Sequence, residues 1–354
     1  MINTDSLTAD WIKNVSTEQN NADKILIEKS IRALYFLEQL VLTDLDFIFK
    51  GGTSLLLLLK DIKRLSIDID IIIPEKVDLS ANLDKIIDAT DFIRWETNER
   101  KAKSKIEKAH YKLFYKPATN NTRNEEEYIL LDVVFETNPY NEAICHTKIN
   151  SPILITEGNA TKVSTPSIDA ILGDKLTAFA PNTTGIPYGV GKEIEIIKQM
   201  YDIACLFDVA TEIKTIAKTF KNIAKTEIKY RNLKYTNAND ILEDIFQTSL
   251  CISVRGQDGI CDFDELHTGI KNIVNFIISE SFHIEKAIIY ASKVMYISCL
   301  IRADEKEMYK FTTPDVIKEW IIKQPFNTKL NKLKKSNPEA FFYWYQAIKL
   351  LNSK

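Results

Sequence analysis

Residues 50–70 read KGGTSLLLLLKDIKRLSIDID, and two features in them suit phosphate chemistry. Gly51-Gly52-Thr53-Ser54 separates an apolar, strand-like run (Phe47, Ile48, Phe49) from an apolar, helix-like run (Leu55 to Leu59). A glycine turn between strand and helix lets backbone N–H groups approach a phosphate, and a helix N-terminus favours its charge. Asp68 and Asp70 follow, two apart, in SIDIDIII. Alternation along a strand puts residues i and i+2 on one face. Two carboxylates so placed can share a hard cation such as Mg²⁺. Taken singly, the glycines are an ordinary turn and the acids a solvated strand face. In one short strand–turn–helix–strand unit, with the acids among Ile67, Ile69, Ile71, Ile72 and Ile73, they point to a site.

Asp132 lies inside YILLDVVFE (128–136), flanked by apolar residues. Burying such an acid unpaired is costly, so it calls for a metal or a Lys/Arg partner; Glu136 shares its strand face as the alternative. The blander reading is a strand-end acid paired with a surface lysine. Lys175 sits among Ile168, Ile171, Leu172, Leu176 and Phe179. That is either a snorkelling lysine or a functional one. Lys198 and Asp202 stand at i and i+4 of a helical stretch and share a helix face, which by itself reads as a surface ion pair.

Around these residues the pattern gives a helix over 24–42, a strand over 46–50, a helix over 53–62 and a strand over 66–73 stopped by Pro74. A helix over 80–92, strand pieces within 92–116, a polar hairpin loop at 119–127 and a strand over 128–136 follow. From Thr165 onward helical periodicity dominates. Thr165 reads as an N-cap and Pro166 as the first helical residue. The order fits an α+β chain, with a mixed-sheet lobe over residues 1–160 and a mostly helical lobe over 161–354.

The chain has 354 residues and a net charge of −3, which argues against a protein coated in positive charge for bulk nucleic-acid binding and leaves room for a local basic groove. Two stretches could supply one. Arg100, Lys101, Lys103, Lys105, Lys108, Lys112 and Lys116 interleave with Tyr111, Phe114 and Tyr115; Lys323, Lys329, Lys332, Lys334 and Lys335 precede FFYWY at 341–345. Such stretches are either nucleic-acid surfaces or solvated charges with the aromatics in the core. The apolar runs are too short for a bilayer, and MINTDSLTADW has no signal-peptide pattern. The five cysteines are scattered, which reads as reduced thiols of a cytoplasmic protein, and the histidines form no zinc motif.

The Gly-Gly turn, short helix and Asp-x-Asp strand resemble the signature of DNA polymerase β-like nucleotidyltransferases. The fuller string KGGTSL…RLSIDID resembles one branch, the AbiEii/AbiGii toxin family, through about residue 208. The 15 residues 53–67 between Gly52 and Asp68 are slightly long for the superfamily. The resemblance implies transfer of NMP from an NTP to an acceptor hydroxyl, with Mg²⁺ or Mn²⁺ held by Asp68, Asp70 and Asp132, Asp132 doubling as base. Gly51, Gly52, Thr53 and Ser54 would cradle phosphates. Lys175, Lys198 and Asp202 would join the same site from the helical lobe. Gln199 stands where many relatives have an acid. The resemblance further implies a cytoplasmic toxin of a toxin–antitoxin or abortive-infection system, with a cognate antitoxin. RNA, at a tRNA 3′ end, is the expected acceptor. A small molecule or protein acceptor, and a nucleotide-binding regulator without turnover, are the rival readings.

Overall fold

The structure, a computed structural model, describes residues 1–98, 107–119 and 125–352. Arg100, Lys101, Lys103 and Lys105 of the first basic stretch, and 120–124 of the expected hairpin loop, lie outside the described residues. The chain forms two compact units, Met1–Ser167 with Asn275–Ser281, and Ile168–Val274 with Phe282–Lys354.

The first unit is built on a mixed sheet of β1 (Ile48–Lys50), β2 (Ile69–Ile73), β3 (Phe92–Thr97), β4 (Lys108–Tyr115), β5 (Glu127–Phe135), β6 (Ile144–Lys148) and β7 (Lys162–Pro166). Their spatial order is β3-β4-β5-β2-β1-β7-β6. Helices α1 (Ala9–Glu18), α2 (Lys24–Val41), α3 (Leu55–Leu58) and α4 (Ser80–Ala89) accompany it. Asp23 starts α2 by accepting from the Ile25 and Leu26 N–H groups, satisfying donors that a helix N-terminus leaves unpaired. One sheet face is the core. Ile69, Ile71 and Ile73 of β2, Leu113 and Tyr115 of β4, and Ile129, Leu131 and Val133 of β5 are buried there with Ile27, Ile31, Leu34 and Leu37 of α2. Alternation sends Asp70, His110, Lys112, Phe114, Tyr128 and Asp132 to the opposite face.

Several sequence expectations shift. The helix expected over 53–62 is one turn, because Thr53 and Ser54 belong to the preceding turn and Leu59 is already extended. Thr165 and Pro166 are not a helix start. They end β7, paired with Cys145 and Ile144 of β6, and the Thr165 hydroxyl meets that of Thr147 at 2.6 Å. A sheet ladder outweighs the local capping signal, and the helix begins at Ile168. Asn275–Ser281 returns to the first unit: Leu65 N–H donates to Phe276 O, Ile278 N–H to Lys63 O, and the Ser279 hydroxyl to Lys63 O.

The second unit is helical: α5 (Ile168–Ala178), α6 (Glu193–Val209), α7 (Ile213–Tyr230), α8 (Ala238–Ser253), α9 (Phe263–Asn272), α10 (Ile284–Ala303) and a final long helix, Pro338–Asn352. Asn237 and Asp240 cap α8 reciprocally. The aromatic cluster is core here: Phe341, Phe342, Tyr343 and Trp344 are buried, with Phe246 edge-on to Trp344 and Phe207 edge-on to Tyr343. The expectation of reduced cysteines is corrected at one pair. Cys251 and Cys261 form a disulfide, because the chain after α8 doubles back through Arg255, Gly256 and Gly259, all at positive φ. Cys145, Cys205 and Cys299 are free. Among the described residues no helix is long and apolar enough to cross a membrane.

Candidate active site

The turn after β1 and the start of β2 are built around each other. Gly51 has φ +80° and lies against the Asp70 carboxylate, so that a Cβ at position 51 would stand 2.0 Å from Asp70 Oδ2. A Cβ at Gly52 would stand 2.6 Å from Arg64 Nη2 and 2.9 Å from Ser66 Oγ. A Cβ at either position would displace these side chains, and Gly51 is required also by its backbone conformation. Thr53 and Ser54 are fully buried. The Thr53 hydroxyl lies 3.0 Å from Ser66 Oγ and 2.5 Å from Asp68 O, and the Ser54 hydroxyl donates to Gly51 O at 2.8 Å. Their side chains shape the turn.

β2 begins at Ile69, so Asp68 stands at its lip, exposed, while Asp70 is half-buried within the ladder. The register then assembles a row. Lys50 of β1 pairs with Asp70, Asp70 with Asp132 of β5, and Asp132 with His110 of β4. Directly opposed residues share a face at a separation of about 5 Å. The row thus places two carboxylates side by side between a lysine and a histidine. Lys50 Nζ lies 5.9 Å from the centroid of the Tyr140 ring. His110 Nδ1 is 2.6 Å from Asp132 Oδ1. The hydrogen bond ties the imidazole of β4 to the carboxylate of β5. Glu136, the alternative third acid, follows the end of β5 and donates its N–H to Ile73 O.

Two residues of this site were not singled out from the sequence. His110 counts there only among histidines that form no zinc motif, and its place beside Asp132 arises from strand register. Arg64 is buried and donates from Nη1 to Leu65 O at 3.0 Å. Its signal is its place just before the SIDID segment, where a buried cation needs a reason.

In the second unit, Lys175 of α5 and Asp202 of α6 form a 2.8 Å ion pair, with side chains 7% and 1% exposed. Lys175 also donates to Gln199 Oε1 at 3.4 Å. The glutamine thus occupies a position from which an acid would reach the same lysine. Lys198 pairs with Glu195 at 2.8 Å.

A family model described as "Nucleotidyl transferase AbiEii toxin, Type IV TA system" matches residues 35–251, more than half of the chain. The chain belongs to the AbiEii nucleotidyltransferase toxin family. Among solved structures, this AbiEii chain is similar to JHP933 from Helicobacter pylori, at 14% identity over 78% of this chain and 93% of that one, with a TM-score of 0.42. It is similar to MenT4, a nucleotidyltransferase toxin from Mycobacterium tuberculosis, at 11% identity over 82% and 89% of the two chains, with a TM-score of 0.49. An antigenic nucleotidyltransferase-like protein from Paracoccidioides brasiliensis matches at 17% identity over 64% and 92%, with a TM-score of 0.36. No curated protein matches the chain.

AbiEii membership brings with it an NTP substrate and a divalent metal as general features of such enzymes. The donor set here suits that metal. Asp70 and Asp132 offer hard oxygen ligands side by side, beside a glycine cradle that any Cβ would fill. Among the described residues no group of three or more His, Cys, Asp or Glu side chains is placed to hold a metal ion. Mg²⁺ does not ask for such a group, since it is ordinarily held by one or two carboxylates together with substrate phosphates and water.

Proposed function

We propose that this AbiEii-family chain transfers a nucleoside monophosphate from an NTP to a 3′-terminal hydroxyl of RNA, of the kind a tRNA presents, and releases pyrophosphate. One observation carries the reading: Asp70 and Asp132 are register neighbours on one sheet face, with Gly51 packed against Asp70.

Asp70 and Asp132, with Asp68 at the strand lip, would hold Mg²⁺ or Mn²⁺, which when bound neutralises the triphosphate and activates the attacking oxygen. The glycine turn presents backbone N–H groups to the phosphates. Arg64, fixed beneath Gly52, adds a positive charge there. Asp132 takes the proton of the acceptor hydroxyl as its oxygen bonds to the α-phosphorus and the bond to pyrophosphate breaks. His110 orients Asp132 through the hydrogen bond between Nδ1 and Oδ1. In keeping with the family resemblance, Lys175 and Lys198 would neutralise phosphate charge and Asp202 would position Lys175. The protein acts as a toxin in the bacterial cytoplasm, restrained by a cognate antitoxin.

The test is incubation of the purified protein with each labelled NTP and with total RNA, protein and metabolite fractions, beside Asp70→Asn. Label entering RNA only with the wild type supports the reading. Label entering protein or metabolites reassigns the acceptor, and nucleotide binding without transfer into any fraction makes the chain a regulator. On induction in a bacterial host, the wild type is expected to arrest growth and Asp70→Ala to leave it unaffected.

A further inference from the structure

Further along the sheet face that carries Asp70 and Asp132 lies a patch with no part in the phosphate chemistry above. Arg94 of β3, Phe114 of β4 and Tyr128 of β5 are register neighbours. The Phe114 and Tyr128 rings lie 5.7 Å apart, tilted by 53°. Arg94 Cζ sits 3.6 Å from the Phe114 centroid, and Lys112 Nζ sits 4.5 Å from that of Tyr128. Tyr128 is 39% exposed, and the Arg94 side chain is 41% exposed. By contrast Tyr111 and Tyr115, the other rings of β4, are buried in the core. Strand alternation has sorted the aromatics of this region into a core set and an outward set.

We infer that Phe114, Tyr128 and Arg94 form a stacking platform for the bases of a single-stranded RNA acceptor, leading its 3′ end to the carboxylate row. The inference rests on the RNA reading above and names the surface that would serve it. Every base has a π-face, so stacking on aromatic rings is sequence-tolerant and amounts to about 1–3 kcal/mol per base. An arginine plane stacks on bases in the same way. The two features are continuous, since Tyr128 and Asp132 lie on β5 four residues apart, a distance of about 13 Å at the usual strand rise. The terminal nucleotide can thus sit at the acids while bases just before it rest on the rings. Glu96 and Glu126 both pair with Arg94. They hold the guanidinium in place and blunt its pull on phosphates, so the patch reads base faces more than backbone charge. A duplex hides those faces and gains nothing here.

The experiment measures binding of a fluorescein-labelled ten-nucleotide RNA, single-stranded or annealed to its complement, to full-length protein in EDTA, where no transfer occurs. Tyr128→Leu and Phe114→Leu are each expected to weaken single-strand binding about tenfold. Tyr128→Phe, which keeps the ring, should bind as the wild type does, and NTP affinity measured by calorimetry should be unchanged in all three. Tyr128→Thr, a strong strand former, replaces Tyr128→Leu if the latter melts early. Wild-type affinity in the ring-less variants overturns the platform and leaves the RNA reading standing. Equal affinity for duplex and single strand also overturns it. Failure of the wild type to bind any RNA removes both.

Discussion

Gly51 and Asp70 touch in a way that only glycine allows: a side-chain carbon at position 51 would lie 2.0 Å from Asp70 Oδ2. The turn that would receive phosphate and the acid that would hold the metal are thus one mechanical unit. Displacing either moves the other.

Gly51→Ala is therefore expected to inactivate the protein by pushing the Asp70 carboxylate aside. It also meets the positive-φ backbone, which costs about 1–2 kcal/mol. The melting temperature should fall by several degrees, while transfer falls at least a hundredfold. A folded Gly51→Ala protein with wild-type turnover would show that the Asp70 carboxylate needs no such placement.

Asp70→Asn and Asp132→Asn keep the size of each side chain and remove its charge. Both should abolish transfer and weaken Mn²⁺ binding in calorimetry, and the fold should persist in circular dichroism. Asp68→Ala, at the exposed strand lip, should lose transfer with less effect on stability than either. Full turnover in any of the three removes that residue from the site.

In the proposed reaction His110 would act through Asp132, and two variants separate its hydrogen bond from its bulk. His110→Phe keeps a ring and loses the donor; kcat should fall roughly 10–100-fold, the usual cost of losing a partner behind a metal ligand, with the KM for NTP unchanged. His110→Asn places an N–H near the position of Nδ1 and should recover most of the loss. Equal kcat values for the two variants would refute the positioning role.

Lys175 and Asp202 can be tested against their own stability effect. Breaking a buried ion pair from one side leaves a stranded charge and destabilises by about 3–5 kcal/mol. Lys175→Met alone should therefore lower the melting temperature markedly. The double variant Lys175→Met with Asp202→Leu should recover it. NTP affinity that returns along with stability in the double variant would make the pair structural only.

The first unit was largely legible in the sequence wherever the signal was local. The stripe Ile27, Ile31, Leu34, Leu37 marks α2, and the glycine turn and isoleucine-rich run mark the region from β1 to β2. What the sequence hid was set by contacts distant along the chain. Thr165-Pro166 has the chemistry of a helix start, yet pairing with β6 makes it a strand. FFYWY has the composition of a base-stacking surface, yet helical periodicity turns most of it into core. His110 gains its partner only when β4 and β5 align, and Cys261 meets Cys251 only because the loop between them reverses. Outward Phe114 and buried Tyr115 are sequence neighbours that differ only in strand parity.

The return of Asn275–Ser281 to the first unit bears on when this protein comes into being. Its hydrogen bonds to Lys63 and Leu65 brace the residues that lead into Asp68, and Ser279 and Lys63 are 216 positions apart. A ribosome adding about 5–20 residues per second will have made every acid and lysine proposed for the chemistry well before it makes that brace. The nascent chain thus carries the proposed groups without this support until Asn275–Ser281 has been made. A chain ended before Asn275 should accordingly be harmless on induction under conditions where the full chain arrests growth.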